Sequence, residues 1–301
     1  MPKLAPVLAA ATLLLSGCAV ASPAHPEPGD DRPLVLTTFT VLADMAGQVG
    51  GEHVRVVSIT RVGAEIHGYE PTPSDLRGAE DADLILDNGL GLERWFEDFV
   101  AHLDVPHVVL SDGIEPIEIA EGQYQGRPNP HAWMSPVAAE TYVANIAAAL
   151  SDLAPEHAAE FAANAESYTG QLRAEAERLR TAVSTVPPAQ RVLVTCEGAF
   201  SYLARDLGLQ EAYLWPVNAE SQGTPRQMAA VIELVRQREV PVVFCESTVS
   251  DRVMQQVAAE SGARYAGALY VDSLSEPGGP VPSYLELLRH DLDLIVDGLS
   301  G

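Results

Sequence analysis

The strongest constraint on this chain is a hydrophobic period that switches back and forth along it. Short apolar runs of strand length alternate with longer segments of helical spacing. Leu34-Val35-Leu36-Thr37-Thr38 reads as a buried strand, Val41 to Val49 as a helix and Val54 to Ile59 as a second strand. Leu76 to Ala82 reads as a helix, Leu84-Ile85-Leu86 as a third strand, Leu92 to Leu103 as a helix and His107 to Leu110 as a fourth strand. Strands alternating with helices imply a parallel sheet with helices on both faces, because parallel neighbours are joined by helical crossovers.

Pro136 to Leu153 then reads as a helix, followed by Pro155 to Val183, an Ala/Glu/Arg-rich stretch with Phe161, Tyr168, Leu172 and Leu179 as its large apolar positions. It stops at Val186-Pro187-Pro188, where proline cannot continue a helix. Nearly thirty residues is long for a globular helix, which points to a connector between lobes. The alternation resumes with strands at Arg191–Thr195, Tyr213–Trp215, Val240–Cys245 and Ala268–Val271, and helices at Ala199–Leu207, Pro225–Gln237, Asp251–Ser261 and Tyr284–Leu299. The predicted fold is α/β: two lobes, each with a four-stranded, mostly parallel sheet flanked by helices. One lobe covers 34–154 and the other 188–301, with the long helix of 155–187 between them. A length of 301 residues suits about two domains.

The amino end predicts export. Met1-Pro2-Lys3 is a basic start, and Leu4 to Leu15 is an apolar core too short to span a bilayer. It ends in Leu15-Ser16-Gly17-Cys18, which resembles a bacterial lipobox, so residues 1–17 are expected to be a signal peptide and Cys18 a lipidated amino terminus. The competing reading is an ordinary signal peptide with a chance cysteine. Ala19 to Pro33 holds four prolines and no apolar period, as expected of a flexible tether over 18–33.

The net charge of −24 repels polyphosphates, which argues against a nucleic-acid partner. It suits a cation, although many acidic proteins are acidic for solubility alone. Cys196 and Cys245 each end an apolar β-rich run. They read first as two buried small hydrophobes; a disulfide is open to them outside the cytoplasm, and the sequence does not decide.

Ligands of open α/β sheets bind beyond the carboxyl ends of strands, just before capped helices. Thr72-Pro73-Ser74-Asp75, Thr224-Pro225-Arg226-Gln227 and Ser283 with Glu286 mark such starts. At these mouths stand His67 and His131 in the first half, and Glu197 and Asp272 in the second. Taken singly, a loop histidine is commonly a surface residue and an acid at a strand end a helix cap. His53, His102, His107, His157 and His290 are read as bystanders, Glu246 and Asp251 as supporting or capping groups, and Trp133 as a wall of the site.

Several motifs together are more specific. They are His67-Gly68-Tyr69-Glu70-Pro71-Thr72-Pro73-Ser74-Asp75, Asn88-Gly89-Leu90-Gly91-Leu92-Glu93, Asn129-Pro130-His131-Ala132-Trp133-Met134-Ser135-Pro136, Glu197-Gly198-Ala199-Phe200-Ser201-Tyr202, Phe244-Cys245-Glu246-Ser247 and Tyr270-Val271-Asp272-Ser273-Leu274. From about Leu34 to the carboxyl end the chain resembles the metal-specific solute-binding proteins of ABC importers, the zinc and manganese lipoproteins also described as adhesins. The resemblance implies two lobes joined by a rigid helix, with the metal held between them by His67, His131, Glu197 and Asp272. It implies an ABC permease with its ATPase as partners, a monomer on the outer side of the membrane, and no enzymatic activity. Two features depart from the family pattern: Glu65-Ile66 stands where Asp-Pro is common, and Cys196 puts a soft donor beside Glu197.

Two imidazoles and two carboxylates offer nitrogen and oxygen donors to one divalent ion, which suits Mn²⁺ or Fe²⁺ as well as Zn²⁺. Zinc-specific relatives tend to add a third histidine and a His-rich loop, and Ile114 to Pro128 has no histidine, so Mn²⁺ is favoured. Binding is expected to weaken through the imidazole range near 6.5. The alternatives are a metal-dependent hydrolase or chelatase on a similar two-lobe fold, which needs an open coordination position, and an adhesin.

Overall fold

The structure, a computed structural model, describes residues 30–100, 102–120, 122–217 and 223–300, and only the backbone of 97–99. The expected signal peptide, Cys18 and nearly all of the tether lie outside the described residues. In the first half β1 (Leu34–Thr37), β2 (Arg55–Ser58), β3 (Leu84–Asp87) and β4 (His107–Val109) form one parallel sheet in the order β2-β1-β3-β4. The crossovers carry α1 (Thr40–Gly50), α2 (Pro73–Glu80) and α3 (Arg94–Val100).

Strand parity decides which helices pack where. Val35, Leu84 and Leu86 face one core with Leu42 and Met45 of α1 and Tyr142 and Ile146 of α4 (Pro136–Leu153). Leu34, Leu36 and Ile85 face the other way, against Ala79 of α2 and Phe96 and Val100 of α3. Thr72 caps α2 through a reciprocal box with Asp75, and Pro73 opens its first turn.

The predicted long helix is a 3₁₀ turn at Pro155–His157 followed by α5 (Ala158–Ser184) of 27 residues. Phe161, Tyr168, Leu172 and Leu179 form its buried stripe. Glu175 is also buried and takes Arg178 at 2.6 Å and Arg289 at 3.3 Å.

The second half has β5 (Val192–Glu197), α6 (Ser201–Leu207), β6 (Gln210–Trp215), α7 (Pro225–Arg238), β7 (Val242–Glu246), α8 (Arg252–Ser261), β8 (Arg264–Leu269) and α9 (Tyr284–Ser300). Its four strands are hydrogen-bonded as two parallel pairs, β5 with β6 and β7 with β8, and not as one continuous ladder. β5 and β7 nonetheless lie side by side. The Cys196 and Cys245 Cα atoms are 4.8 Å apart, which is inter-strand spacing, and the two cysteines form a disulfide. The two cysteines are therefore not separate small hydrophobes: both are buried, but bonded to each other. At the next position the Glu197 amide donates to the Glu246 carboxylate at 3.1 Å.

β6 begins three residues before its predicted start, at Gln210-Glu211, because a half-exposed strand carries polar residues. β8 spans Arg264–Leu269, so Tyr270 and Val271 leave the sheet just before Asp272. Parity again sorts the faces. Val194, Cys196, Val243 and Cys245 pack on Val235 of α7 and Met254 of α8. Leu193, Phe244 and Leu269 join the large core that also holds Trp133 and Tyr142 of the first half. Among the described residues no helix is long and apolar enough to cross a membrane.

Candidate metal centre

Four strand-end segments converge on one point. His67 comes from the β2–α2 loop, and His131 from the segment that leads through a 3₁₀ turn, Ala132–Met134, into α4. Glu197 is the last residue of β5, and Asp272 follows β8. One donor atom from each lies within 4.8 Å of all the others. His67 Nε2 is 3.1 Å from His131 Nε2 and 3.2 Å from Glu197 Oε1, and His131 Nε2 is 3.8 Å from the same oxygen. The four residues named from sequence are thus brought together, two from each half, and their side chains are buried, with His67 5% exposed and the others at 1% or less.

The segments that carry the two histidines are braced by neighbours. The Glu65 carboxylate accepts from the His67 amide at 2.8 Å and the Gly68 amide at 2.9 Å, while Ile66 is buried and its carbonyl takes the Trp95 indole N–H at 2.9 Å. The Glu65-Ile66 departure is therefore a differently braced loop. Asn129 Oδ1 accepts from His131 Nδ1 at 2.9 Å and from the His131 amide at 3.0 Å. Because an amide oxygen can only accept, Nδ1 carries the proton and Nε2 turns a lone pair inward. Asn129 Nδ2 reaches across to the Gly198 carbonyl at 2.6 Å and to Ser201 Oγ at 3.1 Å. Its own carbonyl takes the Tyr202 hydroxyl at 2.8 Å.

Trp133 does more than wall the site. It is fully buried, its ring centroid is 5.1 Å from that of His131, and its indole N–H donates to the Val271 carbonyl at 3.1 Å, beside Asp272. Ser135 caps α4 and donates to Asp206 of α6, a further tie between the halves. Gly198 has to be glycine: a Cβ there would lie 2.8 Å from the Pro216 carbonyl and 2.8 Å from the Tyr213 ring. Residues that pattern reading passed over, Asn129 above all, are those whose partners lie in the other half of the sequence. Cys196 is removed as a soft donor, since it is disulfide-bonded and its parity turns it towards α7 and α8. Glu246 supports Glu197 through its amide, as expected, whereas Asp251 sits at the start of α8 and accepts from Gln255.

The electrostatics are those of a place waiting for positive charge. Asp272 Oδ2 takes the Thr248 hydroxyl at 3.2 Å, but Oδ1 is buried with no hydrogen-bond partner among the described residues, as is Glu246 Oε1. An orphaned carboxylate oxygen in such a site is costly unless a cation or proton meets it. Burial, then the Glu197 carboxylate, pushes the Asp272 carboxyl up to about 7. Burial pulls the His67 imidazole down, but Glu197, Asp272 and Glu65 outweigh it and push the ring up to about 9. Burial draws His131 down to about 3 against the pull of Glu197, and the neighbouring His67 adds to the fall. Glu246 is raised well above the carboxylate range, first by burial and then by Glu197. The donor set, two imidazole nitrogens and two carboxylates at 4.8 Å or less, fits one divalent ion.

Comparison with known proteins agrees with this geometry. The family described as zinc-uptake complex component A, periplasmic (ZnuA) matches residues 35–298. The iron-binding protein YfeA of Yersinia pestis is 51% identical over 267 residues, 88% of this chain and 86% of that protein. The manganese-binding lipoprotein MntA of Halalkalibacterium halodurans is 34% identical over 98% of this chain and 97% of its own length. Among solved structures, a Mn-bound periplasmic metal-binding protein from Candidatus Liberibacter asiaticus superposes with a TM-score of 0.83, at 39% identity over 89% of this chain and all of that one. A match across nearly all of the folded chain, with a relative half identical to it, shows that the protein belongs to the ZnuA family of periplasmic metal-binding uptake components.

Proposed function

We propose that the protein is the extracytoplasmic binding component of an ABC importer. It captures one divalent transition-metal ion on His67, His131, Glu197 and Asp272 and passes it to a permease driven by an ATPase. The carrying observation is the convergence of four buried donors from four separate βα mouths, with a buried Asp272 oxygen that has no hydrogen-bond partner among the described residues. The donors suit Mn²⁺, Fe²⁺ and Zn²⁺ alike, and Mn²⁺ is favoured over Zn²⁺ because Ile114 to Pro128 has none of the histidines that zinc-specific relatives tend to add. Fe²⁺ is the second reading, carried by the iron-binding relative. Four chain-derived donors suit storage of an ion more than activation of a substrate at an open position, and the family is one of solute-binding proteins.

The same reading assigns residues 1–17 to a signal peptide, Cys18 to a lipid anchor and 18–33 to a tether. It assigns 34–154 and 188–301 to two lobes, 155–187 to the connecting helix, and a monomer to the membrane surface. Elemental analysis of protein purified without added metal, followed by Mn²⁺/Zn²⁺ competition, tests the cargo. His67→Ala and Asp272→Ala should each lower metal affinity at least tenfold, about 1.4 kcal/mol. Unchanged calorimetric binding in both variants would remove the assignment.

A further inference from the structure

A second cluster of metal-ligating groups lies outside the interior site. His53 closes a 3₁₀ turn, Gly51–His53, after α1, and His157 closes the turn Pro155–His157 that opens α5. Glu160 lies in the first turn of α5. His53 Nε2 is 2.9 Å and His157 Nδ1 3.0 Å from the same Glu160 oxygen, Oε2. The two imidazoles are stacked, with centroids 3.8 Å apart and planes 22° from parallel. One donor from each residue lies within 4.8 Å of the others. Read from sequence as bystanders, both histidines prove to share a partner acid.

The cluster is seated, not loosely disposed. Both rings meet the buried Phe161 edge-on, with centroids 6.0 and 6.2 Å away. Asn164 Nδ2 donates to the Val49 carbonyl at 3.0 Å, tying α5 to the end of α1 where His53 follows. The side chains stay open to water, at 22% for His53, 34% for His157 and 58% for Glu160.

We infer that His53, His157 and Glu160 form a second, surface cation site that takes Zn²⁺ or Cu²⁺ through two imidazole nitrogens and one carboxylate oxygen, with water completing the shell. Two imidazole nitrogens within 3.0 Å of one carboxylate oxygen bring three donors to the spacing of ligands around a shared ion, which a small rotation of the stacked rings would turn towards it. Affinity at a nitrogen and oxygen site rises from manganese to copper, with zinc also above manganese, which makes Zn²⁺ or Cu²⁺ the ion to expect here. The ion would clasp the end of α1 to the start of α5, and the net charge of −24 raises the local cation concentration.

Zn²⁺ titration followed by calorimetry on the full folded chain tests this. The parent should bind one equivalent more than His53→Gln and one more than Glu160→Gln, while both variants keep the parent's Mn²⁺ affinity as evidence of an intact fold. Asp272→Ala should weaken a different equivalent at least tenfold and leave the outer one unchanged. If the interior assignment were wrong, Asp272→Ala would change nothing and the outer-site variants would still lose theirs. Should either variant lose Mn²⁺ affinity as well, Cu²⁺ added to a chain carrying His67→Ala, His131→Ala and Asp272→Ala, which leaves no imidazole in the interior site, decides through electron-spin coupling to two imidazole nitrogens. Variants that bind as much Zn²⁺ as the parent, or a Cu²⁺ signal without two-nitrogen coupling, overturn the proposal.

Discussion

Lowering the pH should loosen the cargo much earlier than ordinary histidine chemistry predicts. The perturbation is a step from pH 9 to pH 7, above the usual imidazole range of about 6.5. In the metal-free cluster the His67 ring is pushed up to about 9. Its Nε2 lies 3.2 Å from Glu197 and 3.1 Å from the lone pair of His131, so its proton sits where the ion belongs. A ligating imidazole has to be neutral, so binding expels that proton. With one proton displaced, affinity falls about tenfold, about 1.4 kcal/mol, for each pH unit below 9. Near pH 7 the Asp272 carboxyl, raised to about 7, begins to hold a second proton and the fall steepens.

The assay is competition against a chromophoric chelator at half-unit pH intervals, corrected for the chelator's own protonation. Calorimetry in two buffers of different ionisation enthalpy counts the protons directly. About one proton should be released at pH 8, rising towards two below pH 7. An affinity that is flat from pH 9 to 7.5 and begins to drop only near 6.5, with no proton released at pH 8, would refute the reasoning and restore the simpler expectation.

Other expectations are tied to single contacts. Asn129→Ala removes the acceptor that sets the His131 tautomer and the donor to Gly198, and should cost 10–100-fold in metal affinity by competition titration. Cys196→Ser with Cys245→Ser opens a 49-residue loop and should lower unfolding free energy by about 4 kcal/mol in denaturant titration. Metal-free protein should lose stability as pH rises from 6.5 to 9: the folded His67 keeps its proton up to about 9, so this stabilisation is present below the unfolded value of about 6.5 and lost on passing 9. Metal-loaded protein should not show that loss, and thermal melts across the range compare the two.

The sequence is most legible where the structure is local. The β1 run Leu34–Thr37 and the Thr72 and Thr224 capping boxes needed no partner to be read. The four donors could be named because each stands at the mouth of a βα unit, a position set by a strand end and a helix cap. What was hidden depends on contacts across the chain. Nothing near Glu197 in sequence announces that its amide would be taken by Glu246, or that the four strands would be hydrogen-bonded two and two. The disulfide was undecided because the approach of β5 to β7 is tertiary, although parity now explains why it leaves the site alone: Cys196 and Glu197 are neighbours and so face opposite ways. Asn129 shows no role in the sequence, since its partners Gly198 and Ser201 lie about seventy residues on.

The ties between the halves are placed beside the donors, and that placement carries a consequence for release. Asn129 grips His131 with one end of its amide and the carbonyl next to Glu197 with the other. Trp133, two residues beyond His131, grips the carbonyl next to Asp272. Separating the halves therefore breaks the donor set and its braces together. The free energy of holding the ion then includes the contacts that hold the halves closed, each of order 1 kcal/mol for a neutral hydrogen bond. A permease that pulled on either half would weaken the braces and the coordination in one movement. The proton that returns to His67 would neutralise part of the buried carboxylate charge left behind, so the emptied site need not bear both negative charges unpaired.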